Sequence, residues 1–141
     1  MVGKIRIGAL ISGSGTNLQA IIEACDDGKI EGRMVFVGSD DPEASGLQRA
    51  REKNIPAFVM DYKSIIREFR EEPATAVLPD DFDFREIFAK QTFFSDQGDP
   101  AKGQFFLITR TIAEARLLDA IRPYPYDLLV LAGFMRNLTP Y

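Results

Sequence analysis

The pattern of apolar and polar positions divides the start of the chain into a strand, a loop and a helix. An apolar run at Ile5–Ile11 is broken by Ser12-Gly13-Ser14-Gly15. Apolar residues then recur at helical spacing, and Gly28 stands where this helix should end. Thr16 and Gln19 lie three residues apart, which predicts a capping box at the start of the helix.

The alternation continues beyond this helix. Further strands and helices are predicted at Arg33–Ser39, Ser45–Lys53, Ala57–Met60 and Thr111–Ile121. The last of these helices should turn Ile112, Ala115 and Leu118 inward, and the apolar run Asp127–Ala132 after it is typical of a strand covered on both faces. We therefore expect an α/β fold, a Rossmann-like open parallel sheet of strand order 3-2-1-4 flanked by helices, within one domain over residues 1–141.

Between Tyr62 and Phe106 the alternation weakens. Short helices are predicted at Ser64–Arg70 and Phe84–Gln91, whereas Pro73–Pro79 and Ser95–Gly103 have the composition of loops. A connection this long is often functional. Many of the 11 phenylalanines lie here, namely Phe82, Phe84, Phe88, Phe93, Phe94, Phe105 and Phe106. They form either an aromatic wall beside a planar ligand or a local core, and we favour the local core.

Composition excludes several classes of function. Apolar residues make up 45% and charged residues 27% of the 141, the balance of a globular protein. No apolar run approaches the roughly 20 residues of a membrane span or forms a signal peptide, so we expect a cytoplasmic protein without a membrane partner. The net charge of −4 argues against nucleic acid. The sequence contains no histidine, which excludes imidazole chemistry within it, and its one cysteine, Cys25, is expected to be buried.

The glycine loop is the strongest candidate site. A glycine loop that runs into a helix presents backbone N–H groups at the positive end of the helix dipole, which suits an anion. We predict phosphate binding by Gly13, Ser14, Gly15, Thr16 and Asn17, the alternative being a tight turn that binds nothing. The dinucleotide fingerprint fails because Leu18 stands where a small residue is needed, and no Gly-Lys-Ser/Thr follows to make a P-loop.

Other polar residues are weaker candidates. Asp40 and Asp41 follow the second strand, where an acid could bind a ribose, but Pro42 favours a solvated turn. The group Asp80, Asp81 and Asp83 is interpreted as a solvated loop rather than a metal site. Arg136 follows the fourth strand at the sheet edge where ligands bind, so it is either a ligand-binding or an ordinary surface arginine.

Two motifs resemble the phosphoribosylglycinamide formyltransferase family. The first is Ser12-Gly13-Ser14-Gly15-Thr16-Asn17-Leu18-Gln19-Ala20, and the second is Leu131-Ala132-Gly133-Phe134-Met135-Arg136. Shorter matches lie at Gly46-Leu47-x-Arg49-Ala50-Arg51, Ile55-Pro56 and Phe82-Asp83-Phe84-Arg85-Glu86. The resemblance covers roughly residues 4–61, 82–90 and 110–140, and two insertions, about 62–81 and 91–107, have no counterpart.

The resemblance implies transfer of a formyl group from 10-formyltetrahydrofolate to the amine of glycinamide ribonucleotide in purine biosynthesis, without a metal. Gly15, Thr16 and Asn17 match residues that bind the ribose phosphate of the substrate. The matches to folate-binding residues are Arg85 and the loop of Met135, Arg136, Asn137 and Leu138.

The chain departs from the family in ways that affect its expected activity. The Asn-x-His pair and the later aspartate of the family lie beyond the fourth strand, so we expect the N-terminal part of a longer enzyme, with no catalytic residue and no activity of its own. Asn137 stands where the family has an aliphatic residue, and Asp40-Asp41 replaces the usual asparagine followed by a basic or polar residue.

Two other functions stay open, namely a non-catalytic phosphate- or nucleotide-binding module and a 10-formyltetrahydrofolate hydrolase. The glycine loop favours the formyltransferase over the hydrolase, because the hydrolase has no phosphorylated second substrate. The fourth strand is too apolar for an exposed sheet edge, so we expect self-association or the phenylalanine-rich insertion to cover it.

Overall fold

A computed structural model describes residues 3–94 and 98–141 and contains a four-stranded parallel sheet. The elements are β1 (Ile5–Ile11), α1 (Thr16–Asp26), β2 (Gly32–Ser39), α2 (Gly46–Glu52), β3 (Ala57–Val59), α3 (Tyr62–Glu71), a short 3-10 helix (Pro73–Thr75), α4 (Phe84–Lys90), α5 (Pro100–Ile121) and β4 (Leu128–Leu131). The strand order is β3-β2-β1-β4, with every pair parallel. This confirms the predicted fold class and strand order.

The chain divides into two compact units. The sheet unit, up to Asp61 and again over Leu117–Arg136, contains the four strands with α1 and α2. The aromatic unit, Tyr62–Arg116 and Asn137–Tyr141, contains α3, the 3-10 helix, α4 and most of α5. The first predicted insertion falls in the aromatic unit, as does the second except for residues 95–97, which lie outside the described residues. The prediction of a single domain over residues 1–141 stays a prediction.

The core of the sheet unit lies where β1 and β2 pack against α1 and α2. Ala9 and Ile11 of β1 are completely buried, as is Leu18 of α1, and Leu47 of α2 joins them. Cys25 on the same helix face is 8% exposed, which confirms the predicted buried thiol, and burial raises its pKa. The apolar spacing of the sequence therefore identified the faces that meet.

An ion pair joins the beginning of β1 to the residue before β4. The guanidinium of Arg6 donates to both carboxylate oxygens of Asp127, at 2.7 Å and 3.0 Å, and the Arg6 backbone N–H donates to the same carboxylate at 2.8 Å. These hydrogen bonds lower the pKa of Asp127 from 3.8 to about 2. The chain entering β4 is thus fixed in register beside β1.

The predicted capping box is wrong. Gly15, with φ of +73°, is the N-cap of α1, and no side chain caps this end of the helix. Thr16 is therefore already the first helical residue, so its hydroxyl does not occupy the capping position. Gln19 donates instead to Glu23, at 2.9 Å. At the other end, Gly28 has a left-handed φ of +73° directly after the helix, as predicted.

Helix α5 begins at Pro100, eleven residues before the predicted start at Thr111. Proline is favourable at the start of a helix because its missing N–H would have no helical partner there. The inward face also differs, since Leu118 is 48% exposed while Leu117 is buried. The predicted inward position of Leu118 is therefore wrong, and so is the predicted loop where it overlaps the start of the helix.

Strand β4 lies at the edge of the sheet, paired only with β1 among the described strands. Leu128 is 49% and Leu131 is 51% exposed. The prediction of a strand covered on both faces is therefore wrong for the described residues. An unbroken apolar run does not distinguish a central strand from an edge strand.

The phenylalanines of the aromatic unit pack mainly against one another. Ring centroids lie 5.6 Å apart in the pair Phe84–Phe88 and 5.2 Å apart in Phe94–Phe106. The guanidinium of Arg110 lies 4.6 Å from the centre of the Phe106 ring. These contacts support the interpretation of a local core, because edge and tilted ring pairs of this kind stabilise packing without a bound ligand.

Candidate phosphate-binding site

The glycine loop is fixed by a close approach between two backbones. A Cβ atom on Gly15 would lie 2.8 Å from the Cα of Gly46, the first residue of α2. The Gly46 N–H also donates to the carbonyl of Gly13, at 3.0 Å. With its left-handed φ, Gly15 is a position where a side chain would have neither a favourable backbone conformation nor room.

A cavity of about 260 Å³ opens on this loop. Its lining consists of Ser12, Gly13, Ser14, Gly15, Thr16, Asn17, Ala132, Gly133 and Met135. The structure therefore brings all five residues of the predicted phosphate site together, beside the end of β4. The first N–H groups of α1 have no partner within their own helix, and the first turn contains no acidic residue to compete with an anion.

Two hydrogen bonds support the walls of the cavity. The Ser12 hydroxyl oxygen accepts the backbone N–H of Met135 at 2.8 Å, which joins the segment after β4 to the glycine loop. The Nε of Arg49 donates to the carbonyl of Ser14 at 2.7 Å and turns that carbonyl toward α2. The sequence analysis gave Arg49 no such role. The available signal was its place in the motif Gly46-Leu47-x-Arg49, about one helical turn after the glycine that contacts the loop.

Asp40 is not in a solvated turn, contrary to prediction. It is 5% exposed, and one carboxylate oxygen accepts from the Nε of Arg136 at 2.8 Å. Its other carboxylate oxygen is buried with no hydrogen-bond partner among the described residues. Asp41 does form the predicted turn, since it accepts the N–H of Glu43. Arg136 is thus not an ordinary surface arginine, because the ion pair with Asp40 anchors it at the carboxyl end of β2.

The residues that match folate-binding positions of the family belong to both units. Met135, 80% exposed, and Arg136 belong to the sheet unit. Asn137 and Leu138 belong to the aromatic unit, as does Arg85, which is exposed in the first turn of α4 after the N-cap Asp83. Their assignment to folate stays a prediction.

Within residues 3–94 and 98–141, no cluster of three or more potential metal-binding side chains occurs. Asp83 instead caps α4, and Asp81 accepts a hydrogen bond from the Tyr141 hydroxyl. No helix in the described part of the chain is long and apolar enough to cross a membrane.

The parallel sheet and the glycine-loop cavity at its carboxyl edge are those of a Rossmann-like α/β protein. A family model described as formyl transferase matches residues 5–141. The chain belongs to this formyl transferase family.

Named relatives agree with this assignment. The chain is 32% identical over 136 residues to the phosphoribosylglycinamide formyltransferase of Escherichia coli, covering 96% of itself and 44% of that relative. A solved structure of glycinamide ribonucleotide transformylase 1 from Symbiobacterium toebii matches with a TM-score of 0.59 and 36% identity, again over 44% of its length. A formyltetrahydrofolate deformylase from Pseudomonas putida, 15% identical with a TM-score of 0.56, shares the fold. The chain thus spans less than half the length of these relatives.

Proposed function

We propose that this chain binds the phosphate of glycinamide ribonucleotide as part of an enzyme that transfers a formyl group from 10-formyltetrahydrofolate to the amine of that substrate, in cytoplasmic purine biosynthesis. The observation that carries the proposal is the cavity of about 260 Å³ lined by Ser12–Asn17. Its uncharged lining and the dipole of α1 suit a phosphate group. The family membership supports the formyl-transfer chemistry.

The phosphate is bound in this proposal mainly by backbone groups. The N–H groups of Gly13–Asn17 and the side chains of Thr16 and Asn17 supply the donors. Backbone donors that are already held in place cost little ordering energy when the anion binds. The contact of Gly15 with Gly46 and the hydrogen bond from Arg49 hold the loop in this form before any ligand arrives.

The folate donor is proposed to contact Arg85, Met135, Arg136, Asn137 and Leu138. Support for these contacts comes from the resemblance of these positions to the family motifs. Arg136 directly follows the lining residue Met135 in the chain and is held at the carboxyl edge of the sheet by Asp40.

The 141 residues alone are proposed not to transfer the formyl group. The transfer needs donors for the formyl oxygen and a group that moves protons near neutral pH, and the sequence contains no histidine for this role. The measurement is release of tetrahydrofolate from 10-formyltetrahydrofolate in the presence of glycinamide ribonucleotide. Turnover above background by the purified chain would contradict this part of the proposal.

Calorimetric titration with glycinamide ribonucleotide tests the phosphate assignment. Asn17→Ala removes a lining side chain and is expected to weaken binding about tenfold, the effect of losing a hydrogen bond to a charged group. Gln19→Ala is the matched control, because this amide lies on the same helix and bonds to Glu23 outside the cavity lining. Equal affinity of the parent and Asn17→Ala would remove the support for this site.

The exposed edge strand is proposed to mediate self-association. Leu128 and Leu131 on β4 are each about half exposed, and among the described residues this edge strand pairs with no strand other than β1. Sedimentation at micromolar concentration is expected to detect dimers that disappear in Leu131→Lys. A monomeric parent would rule out this association.

A further inference from the structure

The aromatic unit contains a buried carboxylate that the proposed function does not use. Glu114 on α5 is 6% exposed, and both of its oxygens accept hydrogen bonds from Thr139. The backbone N–H of Thr139 donates to Oε1, and the Thr139 hydroxyl donates to Oε2. Burial raises the pKa of Glu114, which the two Thr139 donors and the nearby Arg110 oppose.

A buried carboxylate is costly unless donors satisfy it, so this pair of hydrogen bonds has a structural consequence. Thr139 supplies one donor from its backbone and one from its side chain, which fixes both the position and the rotamer of this residue. The neighbouring Tyr141 is held as well, since its hydroxyl donates to Asp81 at 2.7 Å. The segment Asn137–Tyr141 is therefore anchored at two points within its own unit.

We propose that Glu114 is a positioning residue that fixes Asn137 and Leu138 for the folate donor. The proposal rests on the proposed function, in which these two residues contact folate. Leu138 is bonded directly to Thr139, so anchoring the Thr139 backbone restricts the conformations open to Leu138 and Asn137. A segment that is ordered before binding loses less conformational entropy when the ligand binds, and the affinity rises accordingly.

The hydrogen-bond geometry indicates which variants separate positioning from packing. Thr139→Val keeps the shape of the side chain but removes the hydroxyl donor. Thr139→Ser keeps the hydroxyl and should restore the parent behaviour. Glu114→Ala removes both acceptors, and Asp119→Ala is its matched control, because Asp119 is an exposed carboxylate of the same helix that pairs with Arg122.

The experiment measures the affinity of the 141-residue chain for two ligands by calorimetry. Tetrahydrofolate probes the proposed folate contacts, and glycinamide ribonucleotide probes the glycine loop. Thr139→Val and Glu114→Ala are expected to lower the affinity for tetrahydrofolate about tenfold, while the affinity for glycinamide ribonucleotide stays within about twofold of the parent. Thr139→Ser and Asp119→Ala should bind both ligands as the parent does. Hydrogen exchange of the Thr139 amide should accelerate in Glu114→Ala.

Each contrary result has its own meaning. If the parent binds tetrahydrofolate and both Thr139→Val and Glu114→Ala bind it equally well, the positioning role is wrong while the proposed function stands. If the affinities for both ligands fall together, or if Thr139→Ser does not restore the affinity for tetrahydrofolate, the effect is general destabilisation. The positioning role is then again wrong. If the parent binds no tetrahydrofolate, the folate part of the proposed function fails first, and the positioning role fails with it.

Discussion

The interior of the sheet unit and the interior of the aromatic unit are stabilised by different kinds of contact. In the sheet unit, parallel strands and two helices share a core in which Ala9, Ile11 and Leu18 are completely buried. In the aromatic unit, ring pairs such as Phe94–Phe106, 5.2 Å apart, add to the packing of buried aliphatic residues such as Leu107, and Thr139 donates hydrogen bonds to the buried Glu114. The proposed phosphate site lies on the sheet unit, where strand pairing fixes the backbone by its own hydrogen bonds, as binding through backbone N–H groups requires.

The largest expected effect is at the contact between the glycine loop and α2. Gly15→Ala combines a left-handed φ with a Cβ only 2.8 Å from the Gly46 backbone. We expect the free energy of unfolding to fall by about 3 kcal/mol, the sum of backbone strain and overpacking. Denaturant titration measures it. Gly28→Ala is the control, because Gly28 has the same φ of +73° and no neighbour within 4 Å.

The control, Gly28→Ala, is expected to lower the free energy of unfolding by about 1 kcal/mol, from backbone strain alone. Equal losses at Gly15 and Gly28 would mean that the contact with Gly46 does not constrain the loop. The sheet unit would then not have the tightly fixed backbone that the comparison assigns to it.

A smaller effect is expected from the rings of the aromatic unit. Phe106→Leu keeps an apolar side chain but removes the ring contacts with Phe93 and Phe94 and the contact with Arg110. The expected loss of unfolding free energy is about 1 kcal/mol. Hydrogen exchange should locate the faster-exchanging amides in α5. A loss as large as that of Gly15→Ala, or faster exchange confined to β1, would contradict the comparison.

The smallest effects concern pH, and they have opposite signs in the two units. The pKa of Asp127 is lowered to about 2, so its contribution to stability is present above pH 3.8 and is lost as the pH falls toward 2. The pKa of Glu114 is raised above 4.5, so its contribution is present below pH 4.5 and is lost as the pH rises through the pKa of the folded state.

Urea titrations at several pH values test these signs. Asp127→Asn should show less loss of stability than the parent between pH 4 and pH 2, and Glu114→Gln should lose less stability than the parent as the pH rises above 4.5. If the free energy of unfolding depends on pH in the same way in the parent and in Asp127→Asn, the pair with Arg6 does not lower the pKa of Asp127.

The sequence predicted what short-range patterns determine. Apolar runs and their spacing identified the four strands, and the glycine loop was placed correctly at the start of α1. The capping box failed because Gly15 enters the helix in a left-handed conformation, which no spacing of Thr16 and Gln19 reveals. The first half of α5 was missed because Pro100 and Gly103 have loop character and the adjacent phenylalanines hide the helical period.

Pairing over long stretches of chain was beyond sequence reasoning. Asp40 binds Arg136, 96 residues away, so neither residue alone indicated that the aspartate is buried. Glu114 and Thr139 are separated by 25 residues. Glu114 lies on helix α5 and Thr139 follows the loop that resembles a folate-binding segment, so nothing in either local pattern indicated that they pair. Such pairs become visible only when the fold brings the segments together.

The most direct test of the account is to follow the backbone amide signals of the isotope-labelled chain by NMR during addition of glycinamide ribonucleotide. The account predicts that the largest, saturable shifts occur at Ser14, Gly15, Thr16 and Asn17, because these residues line the cavity at the start of α1. Inorganic phosphate should move the same signals at higher concentration. Saturable shifts that lie elsewhere, for example only in α5, or the absence of any shift at these four residues, would contradict the central claim.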